Sequence, residues 1–433
     1  MKRVFLVLLV VVMKTSAQES AMSPMVLTQD QAIALALEHH PSLRSAGATL
    51  RVSEAQVRQA RSAFFPLVSA VGSGSHIEGA FVFNPSFPPR DQMYNSYAVG
   101  IQGQMTLYDF GKTGNRVTAG NLGVEASEWD VRATRNQVVM DVQIAYFGYM
   151  QARRIDRVNQ EAVEQTTQHL AQAKAFYSVG RRPQFDVTKA EVDLANANVT
   201  LIRGRNQLQL ARIQLENAMG VHPQRDITIE DQFTITPMTV TLDSVKTLAL
   251  EKRPELLAAR ARLGADEASV SAAFSQHLPT LSASGNYTWS GFSTPIVLLP
   301  PLFGRWTAGI SLSLPIFQGF ALDAQVEQAR ANVDAAQASL DLLTENVLLD
   351  LEQNFYALRE AHERIAATTR LVEQAEQNLN LAERQYAAGV GTPLDVADAQ
   401  LSRSNALITH IEAQYDYNIA LVRLRRAAGI MLF

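Results

Sequence analysis

The fold is decided by the stretch Leu281-Ser282-Ala283-Ser284-Gly285-Asn286-Tyr287-Thr288-Trp289, in which apolar and small polar side chains alternate. Residues 306–314 and 97–107 alternate in the same way, and Leu67, Ser69, Val71 and Ser73 give a weaker version. Because successive side chains of a strand point to opposite faces, each stretch has one apolar face with aromatic residues near its ends and one small polar face. This pattern is typical of transmembrane barrel strands, whose apolar face meets lipid and whose polar face meets the lumen. A soluble hairpin with one buried face is the alternative.

The composition excludes several classes of protein. The chain has 433 residues, a net charge of −4 and no cysteine. Without cysteine there is no disulfide scaffold, thiolate metal site, cysteine nucleophile or lipidated N-terminal cysteine. The mean hydropathy of −0.04 is too low for a polytopic helical membrane protein. No basic patch suggests nucleic acid binding, and we expect none.

The N-terminus has the features of an export signal. Lys2 and Arg3 precede the short apolar run Val4–Met13, and Thr15-Ser16-Ala17 supplies small residues at the cleavage positions. The run is too short to span a bilayer as a helix. We therefore expect residues 1–17 to be removed and the mature protein to act outside the cytoplasm; a retained anchor is the alternative.

The rest of the chain consists of two sequence repeats of one structural unit. Leu35-Ala36-Leu37-Glu38-His39-His40-Pro41 matches Leu248-Ala249-Leu250-Glu251-Lys252-Arg253-Pro254 at an offset of 213 residues. Later matches, such as Gly180 with Gly389, have an offset of 209 residues. The sequence therefore predicts two structural repeats, 28–221 and 241–430, joined by a linker at 222–240 in an equatorial region.

Each unit begins with two helices. Thr28 with Gln31 forms a predicted capping box, which opens a short helix. Pro41 and Pro254 suit the first position of a second helix, which ends near Pro66 or Pro279.

A very long helix follows each pair of strands. No proline occurs between Pro89 and Pro183 or between Pro315 and Pro393. Gly111 to Val179 would form about 69 residues of helix, or ~100 Å. Apolar residues recur every seven positions, which predicts coiled-coil packing: Val117, Val124, Val131 and Val138, with Val326, Val333, Leu340 and Val347 in the second unit.

Each long helix ends at a tip. The segments Tyr177–Pro183 and Tyr386–Pro393 contain Gly180 and Gly389, which suit the left-handed position after a helix. A return helix then leads to Gly220 or Gly429. Each unit is therefore predicted to be helix, helix, strand, strand, long helix, tip and return helix.

Four strands cannot close a barrel in lipid. Two open edges would leave unpaired backbone groups, each costing several kcal/mol. Two chains would give eight strands with a filled interior, whereas three would give twelve around a water-filled lumen. The small inward residues favour three chains.

These features resemble the TolC family of outer-membrane efflux ducts over the whole mature chain. The motifs that carry the resemblance are the two repeated segments ending at Pro41 and Pro254, the strand-to-helix junctions at 107–111 and 315–319, and the two tips. The resemblance implies a mostly α fold with a β-barrel portion: a homotrimer with a 12-stranded barrel in the outer membrane above a long periplasmic α-helical tunnel. Many relatives carry a lipidated cysteine; this chain has none and should be unacylated.

The function implied is the exit duct of a tripartite efflux or type I secretion system. Its partners would be outer-membrane lipid, a periplasmic membrane fusion (adaptor) protein and an inner-membrane pump of the RND or ABC type. A soluble periplasmic coiled-coil adaptor or scaffold is the alternative. The eight histidines are scattered, and neither a nucleophile elbow nor a phosphate-binding lysine motif occurs. We expect no catalytic residues, cofactor or metal; the cargo (drug, metal or peptide) stays open.

The resemblance also implies roles for the tips. Paired aspartates at the positions of Asp395 and Asp398 would ring the periplasmic entrance, and Asp186 would hold the closed state with Tyr386. Asp395 also suits helix capping, because it stands at the third position of the return helix. A relative's tip arginine falls at Gly391, so Arg181 or Arg182 is the expected substitute. The residues expected to dock the adaptor are Gly180, Arg181, Arg182, Pro183, Gly389, Gly391, Thr392 and Pro393.

The alternation also predicts which side chains meet lipid. Tyr287, Trp289 and Trp306 should face lipid near an interface, where amphipathic rings are favoured. The loops near 77–95 and 290–305 should be extracellular. The side chains expected to face water are Ser284, Asn286, Ser311 and Ser313.

Overall fold

The computed structural model describes residues 25–81, 90–221, 227–229, 241–293 and 302–430. The expected export signal (1–17), its cleavage site and most of the 222–240 linker lie outside these residues. The first half contains β1 (Met25–Leu27), α1 (Gln29–His39), α2 (Pro41–Ser62), β2 (Leu67–Phe81), β3 (Arg90–Tyr108), α3 (Lys112–Ser178) and α4 (Gln184–Ala218). The second half contains β4 (Ile227–Ile229), α5 (Leu242–Lys252), α6 (Pro254–Phe274), β5 (Thr280–Ser293), β6 (Phe303–Ser313), α7 (Ala321–Ala387) and α8 (Pro393–Ala427).

The helix boundaries follow from local chemistry. The side chains of Thr28 and Gln31 each accept from the other's backbone N–H, so the predicted capping box is present. Pro41 and Pro254 each occupy the first position of a helix, where a missing N–H costs nothing. The two long helices, α3 and α7, each have 67 residues. Within the described residues, no helix combines enough length with enough apolar character to cross a membrane.

The seven-residue pattern faces other helices. Val138 and Val347 are fully buried, and the other residues of the two heptad series are at least partly buried. Helix α3 packs along α4 and α6, and α7 packs along α8. The predicted coiled-coil packing is therefore confirmed in a single chain.

The four long strands form one antiparallel sheet in the order β2-β3-β5-β6, so the two halves of the chain meet at the β3–β5 pair. Ile101 pairs with Tyr287, which pairs with Trp306, and these side chains share one face. Ser311 and Ser313 pair with Ser282 and Thr280, on the same face as Ser284 and Asn286. The sheet therefore separates an aromatic face from a small polar face.

Strand β2 departs from the expected pattern. Leu67 pairs with Gln104 and Val71 with Gly100, so these apolar residues lie on the polar face. Ser69 pairs with Gln102 and so lies on this same face, whereas Val68 and Gly72 lie on the other. The two faces of β2 are therefore not divided into apolar and polar residues as those of β3 are.

The strands also extend beyond the predicted limits. Pairing between β2 and β3 continues to Phe81 and Arg90, and β5 runs to Ser293. The expectation of loops at 77–95 and 290–305 was therefore wrong at its ends, because backbone pairing does not require alternating side chains. The central parts, 82–89 and 294–301, lie outside the described residues.

Candidate functional site

The first tip is a tight turn between α3 and α4. Gly180 has a φ of 73°, the left-handed conformation predicted for it. The N–H of Arg181 then donates to the Phe176 carbonyl at 2.9 Å, which closes the end of α3. Pro183 precedes the first turn of α4, and Arg181 is exposed.

The second tip, between α7 and α8, is built differently. Gly389 has a φ of 82°, and the N–H groups of Val390 and Gly391 both donate to the carbonyl of Gln385, at 3.1 and 2.9 Å. Thr392 then caps α8, whose first residue is Pro393. The turn therefore folds back onto the last residues of α7.

Gly391 is required by close packing rather than by its backbone angles. A Cβ atom at this position would lie 2.9 Å from the backbone nitrogen of Tyr386 and 3.0 Å from the carbonyl carbon of Gln385. The site therefore accommodates no side chain, and the arginine that a relative carries here has no room in this chain.

Arg182, in the first tip, places its guanidinium beside Gly391 of the second tip. Its Nη2 donates to the Gly391 carbonyl at 3.0 Å, and its guanidinium carbon lies 4.9 Å from the centre of the Tyr386 ring. Its Nε lies 4.0 Å from the Asp186 carboxylate. Arg182 therefore joins Asp186 on one hairpin to Tyr386 and Gly391 on the other.

Tyr386 is the centre of a small apolar cluster at the tips. It is 2% exposed and packs with Leu379, Val396 and Phe176. Burial raises the pKa of its hydroxyl, Asp186 adds to the rise and Arg182 opposes it. Within the described part of the chain, this buried hydroxyl has no hydrogen-bond partner.

The predicted pair of Asp186 and Tyr386 meets at Arg182 rather than through a direct hydrogen bond. Asp186 is 4% exposed, and its Oδ2 has no hydrogen-bond partner among the described residues beyond the long ion pair with Arg182. Asp186 Oδ2 and the Tyr386 hydroxyl, which belong to different hairpins, are thus two buried polar groups beside Arg182 that could each form a further hydrogen bond.

His169 of α3 extends this cluster. Its ring centre lies 5.3 Å from that of Tyr386. Burial lowers the pKa of His169; Asp193 and Asp186 oppose this effect, and Lys189 adds to it. The sequence offered no signal for this contact, because an isolated histidine on a long helix has no distinguishing neighbours.

Asp395 is a helix cap. Its backbone N–H donates to Thr392 Oγ1 at 3.3 Å, and its Oδ2 accepts from the Thr392 backbone N–H at 2.9 Å. The hydrogen bond from the Thr392 side chain lowers the pKa of Asp395, and that from the Thr392 backbone adds to the effect. Of the two roles considered from the sequence, gate residue and helix-capping residue, the structure shows the capping role.

Asp398 lies in a groove between α3, α4 and α8, with a cavity volume of about 290 Å³. Lys189 and Asp193 of α4 form an ion pair that also lines this groove. Asp193 was missed in the sequence, although its four-residue spacing from Lys189 on a helix could have revealed it.

The tips also expose apolar side chains that sequence reasoning did not select. Val390 is 80% exposed and Phe185 is 73% exposed, and Val179 and Leu394 lie nearby in the two turns. Exposed apolar groups at the end of a hairpin suit a protein contact. The sequence did contain an indication of this surface, because Val390 is a hydrophobic residue between two turn glycines.

Known proteins resemble this chain along most of its length. The family model "Outer membrane efflux protein" matches residues 32–221 and 246–430. The outer membrane efflux protein BepC of Brucella suis is 23% identical over 92% of this chain and 85% of its own length. The outer membrane protein TolC of Escherichia coli is 24% identical over 90% of this chain and 80% of its own length.

Solved structures show the same fold. The outer-membrane channel OprN matches with a TM-score of 0.81 and 21% identity, over 93% of this chain and 89% of that one. VceC of Vibrio cholerae matches with a TM-score of 0.79 and 24% identity, over 93% of this chain and 96% of that one. The resemblance to the TolC family is therefore confirmed, and the chain belongs to the outer membrane efflux protein family.

Proposed function

We propose that three copies of this chain form the exit duct of a tripartite efflux or type I secretion system, which opens at its periplasmic tips. Family membership supports an outer-membrane efflux channel and speaks against the alternative of a soluble adaptor. The observation that carries the proposal is the four-stranded sheet with an aromatic face and a small polar face, attached to 67-residue helices.

The trimer follows from closure of the sheet. Strands β2 and β6 are the edges of the described sheet. In lipid, each edge must pair with another chain, because unpaired backbone groups cost several kcal/mol each. Three chains would supply twelve strands, and the small serine and glycine residues of the polar face leave room for water.

The long hairpins would extend into the periplasm. A helix of 67 residues is about 100 Å long. An export signal at residues 1–17, with no N-terminal lipid, would deliver the chain to the outer membrane. The two repeats, 28–221 and 241–430, would each supply one strand hairpin and one helical hairpin.

The tips would dock a periplasmic adaptor, which connects the duct to an inner-membrane pump of the RND or ABC type. Val390 and Phe185 support this role, because they expose apolar area at the far end of the hairpins. Gly180, Arg181, Pro183, Gly389, Thr392 and Pro393 shape the two turns that present this area.

The same tips would form the gate. Arg182 connects the first tip to the second, and Asp186 and Tyr386 hold it in place. Asp398 supplies a carboxylate near the entrance, and Asp395 contributes mainly by capping α8. Release of Arg182 would allow α7 and α8 to move away from α3 and α4.

The proposal is tested by extracting the mature protein from outer membranes and measuring its native mass. Three copies are expected, and recovery as a soluble monomer would contradict the duct. Val390→Asp should then abolish export and adaptor cross-linking while leaving this mass unchanged, because a charge replaces an apolar contact. Val390→Ile is the matched control and should export normally; normal export by Val390→Asp would exclude docking through Val390.

A further inference from the structure

A chain of polar side chains crosses from the second helical hairpin to the first, away from the tips. Thr368 Oγ1 of α7 lies 3.0 Å from His410 Nδ1 of α8. His410 Nε2 lies 2.9 Å from Gln414 Nε2, and Gln414 Oε1 accepts from Arg154 Nη1 of α3 at 3.5 Å. Thr368 is buried, and the other three side chains are half-buried.

The direction of these hydrogen bonds is fixed at the Arg154 end. A guanidinium can only donate, so Gln414 must turn its carbonyl oxygen toward Arg154. The amide nitrogen of Gln414 then faces His410 Nε2 and donates to it. His410 Nε2 must therefore be an acceptor without a proton.

The hydrogen bonds at the Thr368 end of the chain are consistent with the same order of donors and acceptors. The Thr368 hydroxyl donates to the backbone carbonyls of Arg364 and Ile365, at 2.9 and 3.0 Å. Its oxygen is thus left to accept a hydrogen bond from His410 Nδ1–H. The whole chain is satisfied only by neutral His410 in its Nδ1–H form.

Protonation of His410 would place an Nε2–H group against the NH₂ group of Gln414. The amide could relieve this conflict by turning over, but its NH₂ group would then face the guanidinium of Arg154. The first arrangement breaks the hydrogen bond between His410 and Gln414 within α8, and the second breaks the hydrogen bond that joins Gln414 of α8 to Arg154 of α3. We propose that His410 makes the contact between the two helical hairpins sensitive to acid, so that α8 loosens from α3 when His410 is protonated.

Charged side chains of α3, α7 and α8 flank this chain of hydrogen bonds. Arg154 approaches from α3, and Arg364 of α7 is held by Asp416 of α8 at 2.5 Å. Glu360 of α7 pairs with the same arginine. Burial lowers the pKa of His410 from its usual 6.5, so the folded hairpins bind this proton less readily than the unfolded chain. The contact is therefore fully formed above pH 6.5 and weakens as the pH falls below that value.

Amide hydrogen exchange of the intact, detergent-extracted protein tests this proposal. Exchange in residues 400–418, corrected for the intrinsic effect of pH, is compared at pH 7.5 and pH 5.5. Wild type should open roughly tenfold more often at pH 5.5, the scale of one broken hydrogen bond to a charged group. His410→Gln keeps a polar side chain that does not titrate, and it should lose most of this difference.

Changes at Gln414 separate this mechanism from general acid sensitivity. Gln414→Glu supplies a carboxylate that accepts from both Arg154 and protonated His410, so acid should no longer loosen α8. Gln414→Met should loosen α8 to a similar degree at both pH values. His169 is unchanged in all three variants and controls for acid effects at the tips. A full acid response in His410→Gln, or none in wild type, would overturn the proposal.

Any effect on transport depends on the proposed function, so conductance in planar bilayers is measured separately at both pH values. Loss of conductance at both pH values would count against the duct and leave the exchange result intact. An exchange response without a change in conductance would confine the effect of His410 to the hairpin contact.

Discussion

The guanidinium of Arg182 donates a hydrogen bond to the backbone carbonyl of Gly391, and this 3.0 Å contact joins the two helical hairpins at their tips. The two residues are 209 positions apart, the same offset that relates Gly180 to Gly389 in the two repeats. The acceptor residue is restricted to glycine, because a Cβ atom at position 391 would meet the backbone of Gln385 and Tyr386. The arginine and its acceptor therefore form one contact that joins the two tips.

Arg182→Gln should open the tips. The change removes a charge-assisted hydrogen bond worth about 1.5–3 kcal/mol, which corresponds to a ten- to hundredfold rise in the open fraction if that bond breaks on opening. Resting conductance of the purified protein in planar bilayers is the measurement. Arg181→Gln is the matched control, because Arg181 is exposed. Equal conductance in both variants would place the closing contact elsewhere.

Asp186→Ala combined with Tyr386→Phe should also raise resting conductance, because Asp186→Ala removes the carboxylate that pairs with Arg182; Tyr386→Phe keeps the ring beside the guanidinium and removes only the hydroxyl. Tyr386→Phe by itself is more informative. The hydroxyl has no hydrogen-bond partner among the described residues, so its loss should leave the packing of one chain unchanged. A rise in conductance with Tyr386→Phe would show that the hydroxyl binds a neighbouring copy in the assembled duct. If the double variant conducts like wild type, Asp186 and Tyr386 do not close the tips.

Gly391→Ala should destabilise the second tip by about 1–3 kcal/mol, because its Cβ would meet the backbone of Tyr386. Gly180→Ala should cost about 1–2 kcal/mol for a different reason, the left-handed backbone. The rate of limited proteolysis at each tip reports both effects. Since Arg182 depends on the position of Gly391, the first variant should also raise conductance by more than the second. A larger rise with Gly180→Ala would contradict this assignment.

Substitutions of Asp395 and Asp398 should have different effects, because Asp395 has a structural role and Asp398 is proposed to have an electrostatic one. If Asp398 lies at the proposed entrance, Asp398→Asn should reduce cation selectivity and block by multivalent cations, since it removes a carboxylate from the groove between α3, α4 and α8. Asp395→Asn should instead destabilise the start of α8. Because the pKa of Asp395 is lowered, its carboxylate stabilises the folded tip above pH 3.8, and this effect is lost as the pH falls. Reversal potentials in a salt gradient distinguish the two; identical shifts in both variants would show that Asp395 also acts on the ions.

The sequence predicted the features that depend on short-range periodicity. The strands around Tyr287 and Ile101, the two very long helices and the turns at Gly180 and Gly389 were all found in the structure. Each follows from side-chain alternation, heptad spacing or the backbone freedom of glycine, which act over a few residues.

Other features depend on contacts between distant residues and could not be predicted in this way. Arg182 could be named only as one of two candidates, because its acceptor is a backbone carbonyl without a sequence signature. The position of Val71 on the polar face of the sheet depends on the register of β2 with β3. Gln414 links His410 to Arg154 only because α8 packs against α3.

The central claim is that the sheet lines a water-filled passage through the membrane. Neighbouring residues Ile310 and Ser311 test it directly, because they pair with Ala283 and Ser282 and therefore lie on opposite faces. The chain has no cysteine, so single variants can be labelled without interference. In intact outer membranes, Ser311→Cys should react with a charged, water-soluble thiol reagent, which should lower the conductance, and Ile310→Cys should react only with a lipid-soluble reagent. The reverse pattern, or reaction of both cysteines with the charged reagent, would contradict the account.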